Sequence, residues 1–75
     1  MRETLTNIIK EILESNGEKL SVELNEDTQL KEIGLTSFDL AVLTVEIENI
    51  YDIDIFEDGL ISTIGEIETI LKSNQ

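Results

Sequence analysis

Ser37 is the residue whose setting in this chain most suggests covalent chemistry. Gly34 lies just upstream and a helical pattern opens at Thr36-Ser37-Phe38-Asp39, so the hydroxyl sits where a flexible loop meets a helix N-terminus. A serine in such a place is usually a cap. Here Thr36 already offers a capping hydroxyl as the Ncap residue, with Asp39 reaching back from N3 in a capping-box arrangement. The free N–H groups and dipole of a helix N-terminus also favour a phosphate. The chain contains no histidine and no cysteine. It therefore lacks the usual base for a serine nucleophile, a thiolate, disulfides and zinc-finger ligand sets. If Ser37 reacts, a separate enzyme must activate it, and independent catalysis is not expected. A second group, Asp52, Asp54, Glu57 and Asp58, suggests calcium. An EF-hand loop beginning at Asp52 would need a small oxygen ligand at Phe56, a glycine at Glu57 and a bidentate acid at Thr63, so the loop pattern fails. Loose divalent binding by these carboxylates stays open.

The elements that must position Ser37 follow from hydrophobic spacing. Leu5, Ile8, Ile9, Ile12 and Leu13 fall on one helical face, and Asn16-Gly17 supplies a stop. From Glu18 to Leu35 no helical period is sustained; Leu20, Val22 and Leu24 alternate as in a strand, and Thr28 to Ile33 has room for a single turn. The second helix runs from the Thr36 cap to about Tyr51. Tyr51 to Ile55 alternates with period two and reads as a short strand or an extended loop; pairing with residues 19–24 would make the domain α+β. Glu57 to Ile61 has room for at most a short helix, weakened by Gly59. Thr63 with Glu66 makes another capping box, ahead of an apolar face of Ile64, Ile67, Ile70 and Leu71. No proline, repeat or interdomain linker divides the 75 residues. The expectation is a single all-α domain over 1–75, a small four-helix bundle with three main helices, a short third helix, and a long loop between helices one and two.

Helix two is apolar on two sides. At about 100° per residue, Leu40, Leu43, Ile47, Ile50 and Tyr51 form one stripe, and Phe38, Ala41, Val42 and Val45 lie opposite. Either the helix is central and packed on both faces, or the second stripe is exposed beside Ser37 for partners. The second stripe stops at Val45 and gives way to Glu46, Glu48 and Asn49, which favours exposure. Charge adds a direction. The chain has 17 acidic and 5 basic residues, a formal net charge of -12. No basic residue lies between Lys31 and Lys72, while ten carboxylates fall from Glu32 to Glu68. Such a surface repels nucleic-acid phosphates and anionic membranes and steers a basic partner. No stretch is long and apolar enough for a membrane span, and the N-terminus has no signal-peptide core; a cytoplasmic monomer is expected.

The segments Ile33-Gly34-Leu35-Thr36-Ser37-Phe38-Asp39-Leu40 and Glu46-Ile47-Glu48-Asn49-Ile50-Tyr51-Asp52-Ile53-Asp54-Ile55 resemble the acyl carrier protein family, including its peptidyl and aminoacyl carriers. They are similar to the family's Gly-x-Asp-Ser-Leu motif and its acidic recognition helix, and the order of elements matches over nearly the whole chain. The resemblance implies that Ser37 receives 4'-phosphopantetheine from coenzyme A through a separate Mg-dependent phosphopantetheinyl transferase. It implies acyl or aminoacyl cargo held as thioesters on an imported thiol. It also implies docking of loading and condensing enzymes, through basic patches, on Thr36, Phe38, Asp39, Ala41, Val42, Val45, Glu46 and Glu48. Three positions depart from the family: Thr36 stands where Asp is usual, Phe38 where Leu is common, and Val42 where fatty-acid carriers place an acid. The short third-helix region also lacks the usual proline. These departures suggest a specialised, stand-alone carrier serving a polyketide, nonribosomal-peptide or cell-surface pathway. The alternative is an unmodified adaptor, with a carrier-like fold and an acidic helix but no prosthetic group.

Overall fold

Leu5, Ile8, Ile9, Ile12 and Leu13 are all buried along the first helix, α1 (Arg2–Ser15), as their spacing requires. The computed structural model describes residues 1–56 and 61–73. At the end of α1 the chain closes on itself: Asn16 N–H donates to Leu13 O at 3.0 Å, Gly17 N–H to Glu14 O at 3.0 Å and Glu18 N–H to Leu13 O at 2.8 Å. Gly17 takes the left-handed conformation, φ 77°, the freedom that makes glycine a helix stop.

The long connection that follows is tied down by its own polar groups. The buried Thr28 hydroxyl accepts from Asn25 N–H at 2.9 Å and donates to Glu23 O at 3.3 Å. A single turn of helix, α2 (Leu30–Ile33), buries both of its end residues and is capped by Gln29 and Glu32. Gly34 at φ 94° ends it. The helix that carries Ser37, α3 (Ser37–Tyr51), ends where Asp52 takes a left-handed conformation and donates its N–H to Glu48 O at 2.8 Å. Asp and Asn are the non-glycine residues that tolerate this region best. The last helix is α4 (Ile64–Ser73).

Among the described residues the fold is all-helical, with four helices and no strand. The alternation at Tyr51 to Ile55 is real but unpaired. Ile55 is buried, Tyr51 and Ile53 are half-buried, and Asp52 and Asp54 face solvent. Asp54 Oδ1 accepts Phe56 N–H at 3.0 Å, turning the segment rather than extending it. Residues 19–24 form no strand either, and only Leu24 of their alternating set is buried. The expected short helix at Glu57 to Ile61 falls mostly outside the described residues; the short helix that is seen, α2, lies upstream of Ser37. Ile50 departs from its expected place in the core and is 53% exposed. It lies one turn beyond the last buried residue of α3, and Tyr51, Ile53 and Ile55 pack on the core at that end instead.

The α4 N-terminus is joined to the long loop by backbone alone. Leu30 N–H donates to Ser62 O at 2.8 Å, Ile64 N–H to Thr28 O at 3.0 Å and Gly65 N–H to Glu26 O at 2.9 Å. Two amides that a helix start leaves without intrahelical partners thus find carbonyls 36 to 39 residues back in sequence. The approach is so close that a Cβ on Gly65 would lie 2.7 Å from Glu26 O. One turn along α4, Arg2 Nε donates to Glu68 Oε2 at 2.9 Å and Nη2 to Oε1 at 2.6 Å, clamping α1 to α4. This is the ion pair present among the described residues.

Two outcomes are expected from these ties. Gly65→Ala should destabilise the fold by about 1–3 kcal/mol in urea denaturation, although helix propensity alone predicts a gain of roughly 1 kcal/mol. The hydrogen bond from Arg2 holds the Glu68 carboxyl below the usual glutamate range, against a smaller opposing effect of burial. Because the folded-state value is the lower one, this stabilisation is complete above the ordinary carboxyl range and is lost as pH falls through the depressed value. Urea midpoints should therefore rise slightly from pH ~7 toward pH ~5 as self-repulsion eases, then fall below pH ~4. The advantage of wild type over Glu68→Gln should shrink along that acid limb.

Candidate functional site

The start of α3 is built by a reciprocal cap. Asp39 N–H donates to Thr36 Oγ1 at 3.1 Å, and Thr36 N–H donates to Asp39 Oδ2 at 3.0 Å. With Thr36 extended at φ -83°, ψ 173°, this is the capping box the sequence predicts. Ser37 is the first residue of the helix and is exposed. Its hydroxyl has no hydrogen-bond partner among the described residues, because the cap belongs to Thr36. The hydroxyl is therefore free to be esterified without breaking the helix start. The Ser37 and Phe38 N–H groups, at the first two positions of the helix, also lack partners among the described residues, as a helix start leaves them. The residues present thus fit a phosphate-linked group on Ser37.

The residues expected to meet partners separate into three sets. Phe38 is 75% and Val45 55% exposed; Ala41 and Glu48 are exposed on the same side of α3. They form an apolar strip that begins beside Ser37 and ends in an acid. Val42 and Glu46 are half-buried and turn toward α1, where with Ile8, Glu11, Ile12 and Ser15 they line a shallow cleft of about 160 Å³. Thr36 and Asp39 are engaged in the cap. On the opposite flank Leu43 and Ile47 are buried in the core.

Asp39 corrects one expectation. It is 3% exposed, and both carboxylate oxygens are occupied: Oδ2 by Thr36 N–H and Oδ1 by the Asn16 side-chain amide at 3.0 Å. The Thr36 backbone N–H, and then the Asn16 amide, hold its carboxyl below the usual aspartate range against the opposing effect of burial. Its charge is used inside the molecule rather than offered to a partner. Asn16 has no counterpart in the sequence reading, where it marked only a helix stop. An asparagine after a helix gives no sign that its amide will meet a carboxylate 23 residues later.

A cleft of about 430 Å³ is lined by Leu30, Leu35, Leu40 and Ile61 together with Gln29, Lys31 and Ser62. No group of three or more acidic side chains converges for a metal ion among the described residues; Glu57 and Asp58 of the acidic group lie outside them. No helix among the described residues is long and apolar enough to cross a membrane.

Comparison with known proteins gives a family match. A model described as the phosphopantetheine attachment site matches residues 3–71, which includes α1, the long loop, the Ser37 segment and most of α4. No curated protein and no solved structure matched the chain. Matched over nearly its full length and presenting an unpartnered serine at the expected helix start, the chain belongs to the phosphopantetheine-attachment family of acyl and peptidyl carrier proteins, whose members bind 4'-phosphopantetheine covalently.

Proposed function

We propose that Ser37 is the attachment residue and that the protein carries acyl or aminoacyl groups between enzymes through the exposed strip of α3. The observation that supports this most directly is the division of labour at the helix start: Thr36 and Asp39 make the cap, leaving the Ser37 hydroxyl exposed and without a partner. In the attachment step Ser37 Oγ bonds to the phosphorus that bears the pantetheine portion of coenzyme A. The pyrophosphate P–O bond breaks and adenosine 3',5'-bisphosphate leaves. The serine proton passes to a base on the transferase, since this chain has no histidine or cysteine to take it. Once attached, the group supplies a terminal thiol that holds cargo as a thioester, a thiol the chain itself lacks.

Carriers of this family meet phosphopantetheinyl transferases and biosynthetic enzymes. On this chain we assign the docking to Phe38, Ala41 and Val45, edged by Glu48, with Val42 and Glu46 on the α1 flank. Phe38 and Val45 are large apolar groups left in water by a domain with little apolar surface to spare. Fields from the surrounding carboxylates would draw a basic enzyme face and orient it. Val42, standing where fatty-acid carriers place an acid, favours a specialised pathway with partners that offer an apolar contact there. The cell interior, where coenzyme A is available, is the setting this function requires.

Incubation with coenzyme A, Mg and a broad-specificity phosphopantetheinyl transferase should add one arm by intact mass to wild type and none to Ser37→Ala. Absence of addition with several transferases would favour the unmodified adaptor. Phe38→Ala and Val45→Ala should change stability by no more than about 0.5 kcal/mol while raising the transferase KM severalfold, and added salt should raise the wild-type KM. Leu43→Ala, on the buried face of the same helix, should cost about 2–5 kcal/mol in stability.

A further inference from the structure

The cap that frees Ser37 is not self-contained. Among the described residues, one side-chain hydrogen bond reaches it from another element: Asn16 Nδ2 to Asp39 Oδ1 at 3.0 Å. The donor is held rigidly, because the hydrogen bonds of Asn16, Gly17 and Glu18 N–H back into the last turn of α1 fix its backbone. The acceptor is buried and its other oxygen holds Thr36 N–H. An unbroken path therefore runs from the end of α1 through the Asn16 amide and the Asp39 carboxylate to the Thr36 backbone, with Ser37 between the two capping residues. No other side-chain hydrogen bond among the described residues fixes the rotation of the α3 start against α1.

We infer that Asn16 is a positioning residue for modification: by holding Asp39 it sets the place of the Ser37 hydroxyl relative to α1 and to the docking strip. The inference rests on Ser37 being the attachment residue. A transferase that docks on Phe38, Ala41 and Val45 meets the hydroxyl only where the helix start puts it. Small displacements of a reacting group are costly, up to about 100-fold for 1 Å. Docking itself does not pass through Asn16, so its loss acts on the chemical step more than on binding. Asn16 is an exposed residue at a helix end, so the fold does not depend on it as it does on the core.

The test compares initial rates of coenzyme A-dependent mass gain for wild type, Asn16→Ala, Asn16→Gln and Gly65→Ala, with urea midpoints for all four. Asn16→Ala should lower kcat about three- to tenfold, within the range expected of a small misplacement, with KM little changed. Asn16→Gln, which keeps the amide donor on a longer arm, should recover much of that loss. Gly65→Ala loosens the contact of α4 with Glu26 of the long loop and removes none of the hydrogen bonds of the cap. It should lower the urea midpoint at least as far as Asn16→Ala does, yet keep a near wild-type modification rate. Amide resonances of Ser37 and Phe38 should move in Asn16→Ala and stay in place in Gly65→Ala. A wild-type rate for Asn16→Ala, or equal slowing by Gly65→Ala at equal loss of stability, would overturn the role of Asn16 alone. No mass gain in wild type would overturn the assignment of Ser37, and this inference with it.

Discussion

Carboxylates outnumber cations 17 to 5 in this chain, and the fold must place them without enough positive side chains to pair with. A single ion pair, Arg2–Glu68, forms among the described residues. Other carboxylates find hydrogen-bond donors at helix starts, from backbone amides and from the Asn16 and Thr63 side chains. Glu32, Asp39 and Glu66 all stand at the third position of a helix, where a carboxylate meets the amides that the first turn leaves free. The helix dipole adds to the attraction, since the N-terminus carries partial positive charge. Acid residues so placed start helices as well as solubilise the chain. The carboxylates of the exposed α3 surface have no such use within the molecule, and their field extends into solvent.

The parts of the fold set by local rules can be read from the sequence. Helix α1 follows from its apolar spacing, and the caps at Thr36 and Thr63 follow from a hydroxyl and an acid three residues apart. The α3 end at Tyr51 was also legible, although the stop is a left-handed Asp52 rather than a glycine. What could not be read depends on groups distant in sequence meeting in space. Gly65 looks like a weak point in a helix, yet its missing Cβ is what lets Glu26 O approach its amide. The alternations at Leu20 to Leu24 and Tyr51 to Ile55 resemble strands because period two reports which side chains turn inward and carries no information on backbone pairing. Ile50 has the spacing of a core residue but lies past the last buried position of α3, a limit that spacing along one helix does not reveal.

At the candidate site the same division holds. Ser37, its cap and the exposure of Phe38 and Val45 could be anticipated, because each depends on α3 alone and on where its second apolar stripe ends. Asp39 could not be assigned correctly from its own position. The residue that lies beside Ser37 in sequence with a negative charge reads as part of a docking edge. In space it points into the seam between α1 and α3, where the Asn16 amide and the Thr36 N–H compete successfully with solvent for its oxygens.

That burial has a consequence for how the surface is read by partners. With Asp39 withdrawn, Phe38 and Val45 are neighboured on the outer side of α3 by Ala41, and the nearest acid on that line is Glu48, near the far end of the helix. Along this line the apolar groups run from Phe38, beside Ser37, to Val45, and the acid follows about one turn later at Glu48, close to the exposed Ile50. Electrostatic attraction falls off slowly with distance, whereas apolar burial acts only on contact. On the proposed docking, Glu48 orients an approaching basic face before Phe38 is touched, and the contact then closes beside the Ser37 hydroxyl. A helix amphipathic in the ordinary sense could not do this, because its outer side would be polar along its whole length. The two-sided apolar pattern of α3 is what lets one helix anchor the core through Leu43 and Ile47 and still present Phe38 and Val45 outward.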